Sequence, residues 1–132
     1  MDAATRHLVA DRAGRRCEYC RLPQAASPFL TFHIEHIQAR QHIADDDLAN
    51  LALACPHCNL HKGPNLTSLD LETRAVVELF NPRTQVWDDH FRLDGAYLVG
   101  TSQVGRVTAR LLKMNDLEQL EIRAGLLLRG EF

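Results

Sequence analysis

No run of apolar residues in this chain is long enough to span a bilayer, which excludes a membrane-spanning helix. The start, MDAATRHLVADRAGRR, also lacks the charged-then-apolar pattern of a secretory signal. The expected setting is cytoplasmic, with no membrane partner. A basic excess is absent too: the formal net charge is −2. Proteins that grip DNA over a wide surface carry such an excess, so any nucleic-acid contact here should be local and salt-sensitive. Repeats, low-complexity tracts and obvious linkers are missing. The 132 residues leave room for one core but not two, so residues 1–132 are read as a single domain. A 45% apolar and 24% charged composition excludes a disordered or fibrous chain.

What the chain does have is concentrated. Phe32 to Gly63 holds five of the seven histidines and two of the four cysteines. The cysteines come as Cys17-Glu-Tyr-Cys20 and Cys55-Pro-His-Cys58. Disulfides are rare in the cytosol, and a redox CxxC usually needs one pair in a βαβ context, which is absent around Cys17. Two CxxC knuckles suit tetrahedral Zn²⁺, each supplying two thiolates from one tight turn. Such a site is closed and structural, so reactive chemistry must lie elsewhere. Positive charge clusters locally at Arg6, Arg12, Arg15, Arg16 and Arg21, a phosphate-facing patch or a solvated face.

Along the chain, Ala3 to Arg12 has a helical pattern with Leu8 and Val9 as its buried members. Gly14 ends it, and Leu22 to Pro28 reads as a loop. Phe29 to Ile37 and Leu51 to Ala54 read as strands. Pro56 and Gly63-Pro64 bracket a short helix. Beyond Asn65, Val76 to Phe80 is an expected strand, and Phe91 to Leu93 with Ala96 to Val99 an expected hairpin around Asp94-Gly95. Trp87 and His90 are expected core or edge residues. Gln103 to Met114 should be helical, and Asn115 or Asp116 should cap a last helix with Leu117, Leu120, Ala124 and Leu127 on one face. Those apolar helices suit either a homodimer face or a cover for the core.

Phosphodiester hydrolysis needs a base for water and positive charge on the phosphate. Histidine titrates near neutrality, and a divalent ion supplies the charge. Glu35-His36 and Asn59 offer those parts, since a carboxylate and an amide oxygen suit Mg²⁺ or Mn²⁺. In a regular strand Glu35 and His36 point to opposite faces. Service in one site therefore requires the strand to end, twist or bulge near His36.

The order CxxC, acid-His strand, Asn-Leu, then Cys-x-x-Cys-Asn-x-x-Lys-Gly resembles the HNH endonucleases over about Arg16 to Asn65. The resemblance implies an α+β fold: a treble-clef-like ββα-metal core (about 16–65) with a four-cysteine zinc site. An N-terminal helix precedes it, and residues 66–132 form an extension of short strands and two helices. It implies a metal-dependent endonuclease acting on DNA, with RNA left open. His36 matches the general base, Glu35 and Asn59 the metal ligands, and Asn50 the asparagine that orders the loop between the strands, giving the HNN variant. Many relatives have Pro and a Gly-Gly pair where this chain has Gln38 to Ala44. His33 suits an extra metal or phosphate contact, or a packed histidine. Lys62, Arg40 and His61 are candidate phosphate contacts, while His42 and His57 are expected at the surface. The alternative is a non-catalytic zinc module binding nucleic acid or protein on the same scaffold.

Overall fold

A computed structural model describes residues 1–132. Helix α1 (Ala3–Arg12) starts where the extended Asp2 accepts a 2.8 Å bond from the Thr5 amide. Only Val9 of this helix is fully buried; Leu8, expected beside it, faces solvent. The first knuckle follows as a tight reversal. Cys17 N donates to Leu22 O, and an Arg16–Pro23 bridge closes it.

The expected strand from Phe29 is shorter than its composition suggests: β1 is His33–His36. The Gln24 side chain holds the preceding loop by donating to Leu30 O and accepting from Phe32 N, and Phe29 projects almost wholly into solvent. Antiparallel β2 (Leu51–Ala54) pairs His36 with Leu51 and His33 with Ala54. All four β2 residues are buried, so this strand is apolar throughout rather than alternating. Helix α2 (Pro56–Lys62) begins at Cys55 and ends at Gly63, whose φ of 51° belongs to the region favouring glycine.

Beyond the core, β3 (Thr67–Leu69) pairs with β4 (Val76–Glu78). The β3 strand was not anticipated, because its short, half-exposed sequence carries no apolar alternation. Leu79 and Phe80, expected as strand, instead leave the sheet and enter the core. The anticipated hairpin is β5 (Phe91–Asp94) with β6 (Tyr97–Gly100). Two helices complete the chain: α3 (Gln103–Leu111) and α4 (Leu117–Leu128).

The buried face of α4 is not the predicted one. Leu117 is exposed, whereas Arg123 and Leu126 are buried. Burial of Arg123 is feasible because its guanidinium donates to Ala96 O (2.5 Å), Met114 O (2.9 Å) and Asn115 Oδ1 (3.0 Å). One apolar cluster includes Val9, the four cysteines, β2, Phe80, Phe91, Leu98, Met114 and Leu126. Trp87 helps close it, stacking on Phe91 and donating from Nε1 to Tyr19 O at 2.7 Å. No helix is long and apolar enough to cross a membrane.

Helix α3 docks on the β5–β6 hairpin through Gly105. A Cβ built there would lie 1.9 Å from His90 O and 3.1 Å from the Gly100 Cα. Backbone cannot yield as a flexible side chain can, so Gly105→Ala must displace α3. The expected loss is about 3 kcal/mol or more, at or beyond the upper end for overpacking. An unfolding midpoint in urea unchanged from the parent would show that α3 does not need this approach.

Candidate functional site

The four cysteines converge from the knuckle and from the start of α2. All are buried, and their sulfurs lie within 4.8 Å of one another. Cys20 Sγ and Cys55 Sγ are 3.8 Å apart, too far for a disulfide. Four sulfurs about 2.3 Å from one zinc ion sit about 3.8 Å apart in a regular tetrahedron, so the set fits Zn²⁺. Within each pair the second cysteine's amide donates to the first sulfur: Cys20 N to Cys17 Sγ at 3.5 Å, and Cys58 N to Cys55 Sγ at 3.4 Å. Hydrogen bonding, first from Cys17, draws the Cys55 thiol far down, while Cys20 and Cys58 are pushed well up. Sulfurs this close cannot all ionise unless a dication lies among them, which is the chemistry of a structural zinc site.

The two residues inside the first knuckle were not anticipated as important. Glu18 N donates to Leu53 O, and Glu18 Oε2 accepts from Leu53 N, both at 2.8 Å. Its other oxygen is ion-paired with Arg83 of the extension. Tyr19 is fully buried, and its hydroxyl donates to Glu35 Oε2 at 2.6 Å. Burial, and next the Glu35 charge, raises the Tyr19 phenol well above its usual value, so it remains a donor. The CxxC spacing pointed to the sulfurs and drew attention away from the residues between them.

Glu35 and His36 lie on opposite sides of β1, as regular alternation demands. The strand ends at His36, yet Ile37 N still donates to Asn50 O at 2.8 Å, so no bulge turns the two side chains together. Glu35 is 6% exposed. Its Oε1 lies 2.5 Å from Lys62 Nζ, which also donates to Ile37 O at 3.0 Å. Burial raises the Glu35 carboxyl above its usual value, against the opposing pull of the Lys62 ammonium.

This arrangement corrects one expectation and bears on another. Lys62 is 2% exposed and paired, so it is not at a surface that a phosphate can reach. Glu35 is buried as well: its Oε2 accepts from Tyr19, while Oε1 is ion-paired with Lys62 but receives no hydrogen bond, so a role as metal ligand stays a proposal carried by the resemblance. Asn59 is half-buried on α2, where its amide could supply an oxygen ligand. His33 is exposed at the opposite end of β1 from His36.

His36 faces outward. Its Nε2 is 2.7 Å from Asp46 Oδ1, and its side chain is 15% exposed. Arg40 reaches the same carboxylate oxygen at 3.2 Å and lies 3.5 Å from His36 Nε2. The bond to His36, followed by the Arg40 charge, holds the Asp46 carboxyl below its usual value. Asn50 spans the intervening loop: Oδ1 accepts from Gln38 N (2.8 Å), and Nδ2 donates to Gln38 O (3.1 Å) and Asp45 O (2.9 Å). His42 ties the same loop to Pro64 O at 2.9 Å. Asp46 belongs to the acidic run Asp45–Asp47 of the loop between the strands. Its separation from His36 follows no local period, which is why its partnership was not anticipated.

His61 stands apart from this group. It packs edge-on against His57, with ring centroids 4.5 Å apart. Its imidazole is held below the usual value by burial, then by His57 and Lys113.

Comparison with protein families matches residues 17–65 to the family described as HNH endonuclease. No curated protein and no solved structure matches the chain.

The Glu35–Lys62 pair yields a prediction. Breaking one half of a buried pair leaves an uncompensated charge, at a cost of about 3–5 kcal/mol. Glu35→Gln in zinc-loaded protein should lose that much stability in urea unfolding. A loss below about 1 kcal/mol would mean that the carboxylate is not needed to hold Lys62.

Proposed function

We propose that this chain, whose residues 17–65 match the family described as HNH endonuclease, hydrolyses phosphodiester bonds of DNA, using Mg²⁺ or Mn²⁺ and His36 as the general base. The observation that carries this reading is the His36–Asp46 pair at the end of β1. An ionised carboxylate only accepts hydrogen bonds, so a neutral His36 donates Nε2–H to Asp46 and keeps the lone pair of Nδ1 for a water proton. A base oriented by a third group is the usual arrangement for activating a nucleophile.

Arg40 is exposed beside this pair and is assigned the phosphate contact. When bound, Mg²⁺ or Mn²⁺ supplies positive charge to the phosphate and the leaving oxygen. Asn59 is the residue available to hold it. Glu35, matched to a metal ligand by the family pattern, stays with Lys62 in this arrangement. The chain's own contributions are then proton acceptance at His36, charge at Arg40, and a loop fixed by Asn50. The proposal treats residues 1–132 as one domain acting in the cytoplasm.

The commitment of Glu35 to Lys62 favours a second reading, a zinc-stabilised module that binds nucleic acid or protein without cutting. Supercoiled plasmid incubated with zinc-loaded protein and Mg²⁺ or Mn²⁺ separates the two. Nicking should fall about 10²–10⁴-fold in His36→Ala, the range for loss of a general base, while zinc content stays at the parent level. Equal nicking by the variant would remove His36 from the mechanism. Binding without cleavage across both ions would establish the second reading.

A further inference from the structure

We infer that His57, His61 and Asp116 form a second metal site, for a first-row transition dication such as Zn²⁺, separate from the four cysteines. Their ligand atoms lie within 4.8 Å of one another. His57 and His61 are four residues apart on α2, which places both imidazoles on one face a single turn apart. Asp116 comes from the turn between α3 and α4. Two imidazoles and a carboxylate suit zinc and its neighbours, and Mg²⁺ or Ca²⁺ much less.

Two details show that these groups are prepared as ligands. His57 Nε2 is 2.8 Å from Lys113 O. A carbonyl only accepts, so Nε2 carries the proton and Nδ1 keeps its lone pair. Metal-binding histidines are commonly oriented this way, by donating their other ring N–H to a backbone carbonyl. Lys113 adopts φ 51°, a left-handed turn uncommon outside glycine, and its carbonyl receives this bond.

The second detail is Asp116. It occupies the N-cap of α4, where an aspartate normally accepts from an amide of the first turn. Here the side chain makes no capping bond, and its carboxylate instead completes the cluster with the two histidines. The opposing charge is Lys113, close enough to act on His61; the Asp116 carboxylate offsets it. Three protein ligands leave at least one position for water. A bound ion would join α2, which carries Asn59, to the α3–α4 turn, which Arg123 already holds through Met114 O and Asn115 Oδ1. Nothing in the site depends on DNA cleavage, so it stands or falls independently of the proposed function.

The test is metal stoichiometry on the full chain. Protein with its cysteine site filled by one Zn²⁺ is titrated with Zn²⁺ by calorimetry and, in parallel, with Co²⁺ by absorption. The expected result is one additional equivalent, with cobalt bands of nitrogen and oxygen ligation and no sulfur charge-transfer band. In His61→Ala and Asp116→Ala, both changes at the partly or fully exposed surface, affinity for that equivalent should fall at least 10-fold. The first zinc and the melting temperature of the one-zinc form should stay unchanged. A parent that takes up only one equivalent, or variants that bind the second as tightly as the parent, would overturn the assignment. So would a sulfur charge-transfer band on the second cobalt.

Discussion

The fragments of the core around β1, β2 and α2 are brought together by four sulfur atoms gathered in one buried cluster. Cys17 and Cys20 close a knuckle too short to have a core of its own, while Cys55 and Cys58 open a helix of barely two turns. Such a helix is marginal in isolation, and a two-strand hairpin such as β1–β2 is no better. Gathering the sulfurs in one buried site forces these fragments together. The knuckle then transmits the constraint: Glu18 reaches Leu53 on β2 and Arg83 of the extension, and Tyr19 reaches Glu35 on β1. Zinc coordination can therefore fix positions well beyond its own ligands.

The Glu35–Lys62 pair is the second constraint, and it works differently. Charges inside a protein are costly unless paired and hydrogen-bonded. Here the carboxylate has Tyr19 and Lys62, and the ammonium has Glu35 and Ile37 O. The result joins knuckle, first strand and helix at one buried point. It also sets the facing of β1. With Glu35 pinned inward, alternation turns His36 to the other side of the strand, toward Asp46 and partly into solvent. An acid-histidine pair that resembles one catalytic unit is here divided between the interior and the surface.

Spacing and punctuation in the sequence identified much of this. Two CxxC pairs located the zinc site, Pro56 and Gly63-Pro64 bounded α2, and Asp94-Gly95 marked the hairpin turn. Side-chain facing was harder to read where polar groups are buried. Lys62 sits in a motif that looks suited to phosphate, and nothing local reveals that its partner is 27 positions away. Arg123 interrupts the apolar pattern of α4, yet it is buried because three acceptors from other segments converge on it. Asp46 and Tyr19 make their bonds to partners distant in sequence, which periodicity does not encode. Leu8 and Phe29 erred in the other direction: both are apolar residues that the fold leaves in water.

The same distinction bears on how nucleic acid can be met. The N-terminal arginines form a dense positive run in the sequence, but several are structural. Arg12 donates to Leu48 O and Leu51 O, Arg16 donates to Arg21 O and lies over Phe132, and the Arg21 guanidinium stacks over Trp87. Arg15 is paired with Asp11. Lys62 is buried, so Arg40 is the exposed cation nearest the proposed base. A backbone contact made with so few cations would be the local one that the net charge suggests, its salt sensitivity set by the few counterions released on binding. If a strand is bound at His36 as proposed, its positioning would rest on the shape of the Gln38–Asp47 loop as much as on charge. That loop is braced from within by Asn50 and tied by His42 to the chain just beyond α2, so its conformation is fixed before any partner arrives.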